Sequence, residues 1–144
     1  MSTFNETITL TNVGDKVRVK VGVLKEVRTI TVDACVDTGS WNLVINEETR
    51  AALGLELDGT VFSTLADGTG KKHPMTEPVE FRWKDRKFAL PAQLIPTADE
   101  VLFGALPMES LDLMADPVAE CLVGRHGDKR VHRVKSMQRA KARR

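Results

Sequence analysis

Tyrosine is absent from the chain, and five Phe with two Trp make up its whole aromatic content across 144 residues. None of the seven lies beyond Phe103, so the basic C-terminal stretch has no platform on which nucleic-acid bases could stack. Any nucleic acid held there would be held by charge and released by salt. No run approaches the roughly 18 to 20 apolar residues of a membrane span, which excludes a helical membrane protein. The start, Met1-Ser2-Thr3-Phe4-Asn5-Glu6, is too polar for a signal peptide, and a cytoplasmic protein is expected. There are two cysteines, Cys35 and Cys121, whose spacing is not that of a metal-ligand pair. Each falls in an apolar, strand-forming run, so buried reduced thiols are expected, with a disulfide only if the fold brings the two together. Cys121, His126 and His132 lack a zinc spacing, and no Ser stands near a His in a nucleophile motif. Gly68-Thr69-Gly70-Lys71-Lys72 is too short for a phosphate-binding loop and no helix follows it. No metal and no cofactor are expected.

The chain is long enough for one domain, and its 42% hydrophobic content can support a core. A net charge of +1 conceals a strong asymmetry. Residues 124–144 hold nine Lys or Arg against Asp128 alone, leaving 12 basic and 19 acidic residues in 1–123. Two regions are therefore expected, a folded domain at 1–123 and a basic tail at 124–144, disordered or loosely helical. In the tail, Val131, Val134 and Met137 could form a narrow apolar stripe flanked by Arg and Lys. Such a segment suits nucleic acid or an acidic partner, or it could fold loosely onto the acidic body.

Within the body the pattern reads mostly as strand. Thr7–Thr11 and Lys16–Val23 alternate and are separated by Asn12-Val13-Gly14-Asp15, a hairpin turn. Val27–Val36 forms a third strand. Asn46 can cap a short helix with Glu47 and Glu48 in its first turn, and Gly54 can end it. Strands follow at about Gly59–Leu65, Glu77–Trp83 and Lys87–Leu94, with a turn at Lys84-Asp85-Arg86. A short helix is expected over Pro107–Leu113 and a last strand over Val118–Val123.

The third strand delivers Asp37-Thr38-Gly39-Ser40, followed at once by Leu43-Val44-Ile45. A carboxylate on a tight turn at a strand end is suited to acid–base chemistry. Cleaving a peptide bond without a metal or covalent nucleophile requires a base to activate water and an acid to protonate the carbonyl or the leaving nitrogen. Two carboxylates about 3 Å apart share one proton and supply both. Thr38 could hold the turn through its hydroxyl, Gly39 lets backbone approach the carboxylates closely, and Ser40 could donate a further hydrogen bond to Asp37. An ordinary Asx turn would use the same residues. Asp33, four residues before Asp37, reads as a solvated or locally paired strand residue rather than a second catalytic carboxylate.

Downstream, Val101-Leu102-Phe103-Gly104 repeats an apolar-apolar-Gly pattern ahead of the short helix. This order resembles the retropepsin-like family of single-domain aspartic proteases over about residues 5–123. The resemblance implies a mainly β fold with one or two short helices, closed and barrel-like, forming half of a symmetric dimer. It implies Asp37 as the catalytic residue, Leu102, Phe103 and Gly104 as the second motif, and a flap hairpin at Ala66, Asp67, Gly68, Thr69 and Gly70 that closes over a polypeptide substrate. The terminal strands, Val118–Val123 among them, would form much of the dimer interface, and the tail could be a cleavable segment. The chain has one Asp-Thr-Gly, so a dyad needs two copies of the chain, a homodimer meeting at Asp37. Lacking tyrosine, it has no flap tyrosine of the pepsin sort. Trp41 follows the motif, where retroviral members usually carry a polar residue, and is expected to cover the core or else wall a pocket. The rival reading keeps the fold without the chemistry, a dimeric peptide-binding or scaffold module whose tail recruits nucleic acid or an acidic protein.

Overall fold

The computed structural model describes residues 3–64 and 68–127. Nine strands and three short helices follow in chain order among the described residues. They are β1 (Phe4–Asn12), α1 (Asp15–Lys20), β2 (Thr29–Val36), β3 (Leu43–Ile45), α2 (Glu47–Leu53) and β4 (Leu57–Thr64), then β5 (Gly70–Trp83), β6 (Arg86–Leu94), β7 (Leu102–Phe103), α3 (Ala105–Ser110), β8 (Leu113–Asp116) and β9 (Cys121–Gly124). The architecture is mainly β, as the strand pattern leads one to expect.

Hydrogen bonding runs β1-β2-β7-β3-β6-β5 and returns from β5 to β1, so six strands pair in a ring. The long β5 does this by serving two partnerships. Its second half pairs with β1 and β6, and its first half pairs with β4 to make a hairpin arm. A ring leaves few open edges and turns alternate side chains inward. Ile8, Leu10, Val36, Phe81 and Phe103 are buried in the core, and the Phe81 and Phe103 rings meet edge to face at 5.7 Å.

α2 forms for local reasons. The Asn46 side chain accepts the Thr49 N–H, Glu47 and Glu48 occupy the first turn, and Gly54 closes the helix at φ 62°. The Lys84-Asp85 turn and the strand after it stand where expected, whereas the strand before it begins at Gly70 rather than Glu77, because its first half pairs with β4.

The expected strand at Lys16–Val23 is instead α1 and the turn after it. Asp15 is fully buried, and its carboxylate accepts bonds from Arg28 N at 2.9 Å, Arg28 Nε at 2.8 Å and Arg18 Nη1 at 3.0 Å. Asn12 Oδ1 accepts from Asp15 N, and Arg18 reaches on to Glu77 at 3.1 Å. The Asp15–Arg18 pair is spaced i, i+3, which a helix brings to one face and a strand puts on opposite faces. The alternating valines lose that contest, and Val17, Val21 and Val23 are exposed.

The C-terminal part also departs from expectation. α3 covers Ala105–Ser110 rather than 107–113, β8 is an additional strand, and the last strand starts at Cys121, with Val118 exposed in the turn before it. β8 and β9 form a two-stranded sheet fastened to β1 where Leu122 N donates to Glu6 Oε2 at 3.3 Å. Arg86, buried, donates to the carbonyls of Leu111, Asp112 and Gly127, so residues 124–127 are held against the body. Cys35 is buried as expected, whereas Cys121 is half-buried, and both thiols are free. Residues 128–144, nearly all of the basic tail, lie outside the described residues.

Candidate active site

Three short strands hold Asp37. β2 runs parallel to β7, with Val36 opposite Phe103, and β3 returns antiparallel on the other side of β7, with Leu43 opposite Phe103. The segment Val101–Phe103 is thus gripped by the strand that enters the Asp37 turn and the strand that leaves it. Cys35 N donates to Val101 O at 2.8 Å and Asp37 N to Phe103 O at 3.1 Å. The turn itself is closed by Ser40 N donating to Asp37 O at 3.1 Å, and Gly39 N donates to Asp37 Oδ1 at 2.9 Å. This is an Asx turn, in which the neighbouring Gly39 amide aims the carboxylate. Asp37 is half-buried, and Thr38 and Gly39 are exposed. Ser40 does not bond the Asp37 carboxylate through its side chain, as its hydroxyl donates to Asn42 O at 3.4 Å.

Gly104 completes the arrangement by having no side chain. A Cβ there would lie 2.5 Å from Asn42 O, 2.6 Å from Ser40 O and 2.8 Å from Trp41 O, all backbone atoms. The close approach lets the first amides of α3 reach the turn, with Ala105 N donating to Ser40 O and Leu106 N to Trp41 O, each at 2.8 Å. Orphan donors of a helix N-terminus thereby satisfy the loop's carbonyls. Asp37, Gly39, Ser40, Phe103 and Gly104 therefore form one hydrogen-bonded and packed unit, and Leu102 lies half-buried beside it.

Gly68, Thr69 and Gly70 belong to the β4–β5 arm. Gly70 opens β5 opposite Thr64, Gly68 has φ +87°, and Gly68 through Gly70 are exposed. Ala66 and Asp67 lie outside the described residues. Trp41 does not cover the core, being 57% exposed on the loop after Asp37. Its backbone carbonyl is tied to α3, so the loop is held while the indole faces outward. A further tie that the sequence does not signal is Asn42 Nδ2 donating to Gln93 Oε1 at 3.0 Å, between residues 51 positions apart.

Two neighbouring groups are placed for other reasons. Burial, with a smaller contribution from the charges of Glu100 and Asp37, pushes the Cys35 thiol above its ordinary range and favours the protonated form. Asp33 is exposed and accepts Asn5 Nδ2 at 3.2 Å, a locally paired strand residue. Among the described residues no group of three or more His, Cys, Asp or Glu could hold a metal ion, and no helix is long and apolar enough to cross a membrane. On the side of Thr38, a cleft of about 170 Å³ runs along Met108, Leu113 and Met114.

No family model matches the chain, and no curated protein matches it. Among solved structures it is similar to a retropepsin-like aspartic protease from Rickettsia conorii, with 18% identity and a TM-score of 0.43, over 80% of this chain and 88% of that one.

Proposed function

We propose that the chain is an aspartic endopeptidase that works as a homodimer, each copy contributing Asp37 to one shared site. The observation that carries this reading is the setting of Asp37, a half-buried carboxylate aimed by its own Gly39 amide on a turn pinned to Phe103 and Gly104. Two such carboxylates facing each other hold one proton between them. The ionised one removes a proton from water as the oxygen attacks the peptide carbonyl, and the protonated one donates to the carbonyl oxygen. Proton return to the leaving nitrogen then lets the carbon–nitrogen bond break.

The exposure of Thr38 and Gly39 leaves the turn open to a second copy, and the exposed Met114 and the cleft beside it extend that face. The β4–β5 arm, with Gly68, Thr69 and Gly70 at its end, serves as the flap. A polypeptide substrate is bound as an added strand, with main-chain bonds for affinity and side-chain pockets for selectivity.

The test is cleavage of a diverse peptide library from about pH 4 to 7, where a proton-sharing carboxylate pair works, alongside Asp37→Asn. The expected result is cleavage by the wild type and none by the variant, with the same dimer mass for both in sedimentation. Cleavage surviving at wild-type level in the variant would overturn the assignment. A demonstrated dimer that cuts nothing would favour a peptide-binding module.

A further inference from the structure

A groove of about 420 Å³ lies between β2 and α2, beside the strand that leads to Asp37. Its floor is apolar, formed by Ile30, Val32, Ala52 and Val101, and its rim carries four carboxylates, Asp33, Glu48, Asp99 and Glu100. Among the described residues no Lys, Arg or His lines it. The nearest cation of α2, Arg50, is engaged by Glu47 and by Leu55 O. Asn5 Nδ2 donates to both Asp33 Oδ2 and Glu100 Oε1, which draws two rim carboxylates together without neutralising either. An apolar trough with a rim of one sign calls for an occupant that is apolar along one side and basic along the others.

The chain contains such a segment. After Gly127, residues 128–144 hold eight Lys or Arg against Asp128, with Val131, Val134 and Met137 at spacings of three. The charge balance is equally one-sided for the rest, with 13 basic and 19 acidic residues in 1–127. The tail leaves after Gly127, whose carbonyl is held by Arg86 Nη2 at 2.8 Å, and 17 extended residues reach roughly 55 Å from there.

We propose that residues 128–144 dock in this groove of their own chain, the Val131, Val134 and Met137 side chains over Ile30, Val32 and Ala52, with Arg and Lys paired to the acidic rim. Because β2 and Val101 wall the groove and lead into Asp37 and Phe103, the docked tail braces the strands that hold the turn. The proposal stands whether or not the chain is a protease.

Zero-length carbodiimide coupling of the full-length chain tests it, using an equal mixture of isotopically light and heavy copies so that intrachain and interchain products differ in mass. The expected products are intrachain amides joining Lys129, Lys135 or Lys141 to Asp33, Glu48, Asp99 or Glu100, diminished several-fold at high salt, as screening of charge pairs requires. Amides from those lysines only to other carboxylates would overturn the proposal. So would groove amides formed only between copies, the mark of a second chain as occupant, or none at all, the mark of a tail kept for an external acidic partner. A Glu48→Lys, Asp99→Lys chain, checked for an unchanged circular dichroism spectrum, should lose the tail-to-rim products. Retention of those products at Asp33 and Glu100 at wild-type yield would also count against docking by charge.

Discussion

Position 104 illustrates how a single residue sets the geometry of the turn. An alanine there would drive its Cβ against three backbone carbonyl oxygens that are themselves hydrogen-bonded, so relief requires moving the loop or α3. Overpacking of this kind costs about 2 kcal/mol, and Gly104→Ala is expected to lower the urea midpoint accordingly. Gly70 makes the contrast, since the atoms its added Cβ would meet first belong to the ring of Phe62, an exposed side chain free to swing away. Gly70→Ala should cost well under 1 kcal/mol, and equal losses for the two variants would refute the argument. Legibility at this scale follows whether a residue acts through its neighbours or through distant chain. The Asx-turn bond between Gly39 N and the Asp37 carboxylate and the capping bond of Asn46 lie within three residues, and local spacing reveals them, whereas the bonds of Asp37 N to Phe103 O and of Asn46 Nδ2 to Ala98 O are not marked by it. The bond from Asn42 to Gln93 and the outward face of Trp41 depend on where another segment passes, and no spacing encodes that.

Among the elements, α1 is the one whose pattern misleads. Four valines at alternate positions from 17 to 23 read as strand, yet a buried carboxylate with both Arg18 and Arg28 bound to it outweighs them. Removing one member of a buried charged cluster costs about 3 kcal/mol, whereas the exposed valines forgo a smaller and partial burial. The side-chain bond from Arg28, outweighing the cost of burial, holds the Asp15 carboxyl well below the usual carboxylate range. A depressed folded-state pKa contributes stability in full above the unfolded value of about 4 and loses it as pH falls toward the folded one. Asp15→Asn should therefore lower stability at pH 7 and flatten the acid limb of the stability curve below about pH 4. Parallel denaturation series for the two proteins would check this, and parallel acid limbs would refute it. β8 is hidden in the sequence for a different reason. The turns on either side of it place Asp112 and Glu120 at φ 55° and 54°, where a glycine would ordinarily mark the chain reversal. α2 was legible because its cap, its acidic first turn and its terminal glycine all lie within the element.

For the whole molecule, the decisive count is one Asp-Thr-Gly per chain. Individual strands and their inward faces are legible in alternation along the chain, but closure into a ring is implied only by the resemblance, and the order of strands around the ring is not legible, because pairing such as β2 with β7 joins segments that carry no local mark of each other. The proposed stoichiometry has a consequence that no monomeric enzyme shares. If catalysis needs Asp37 from two copies, an Asp37→Asn chain that still pairs becomes an inhibitor by forming mixed dimers that hold one carboxylate. Mixing one part wild type with nine parts variant, under conditions where subunits exchange, should lower activity per wild-type chain to about a tenth, since nine in ten wild-type copies then sit opposite a variant partner. Dilution of the wild type alone should lower its specific activity as dimers dissociate. A monomeric active species would keep its specific activity in both experiments, and that result would leave Asp37 acting without a twin.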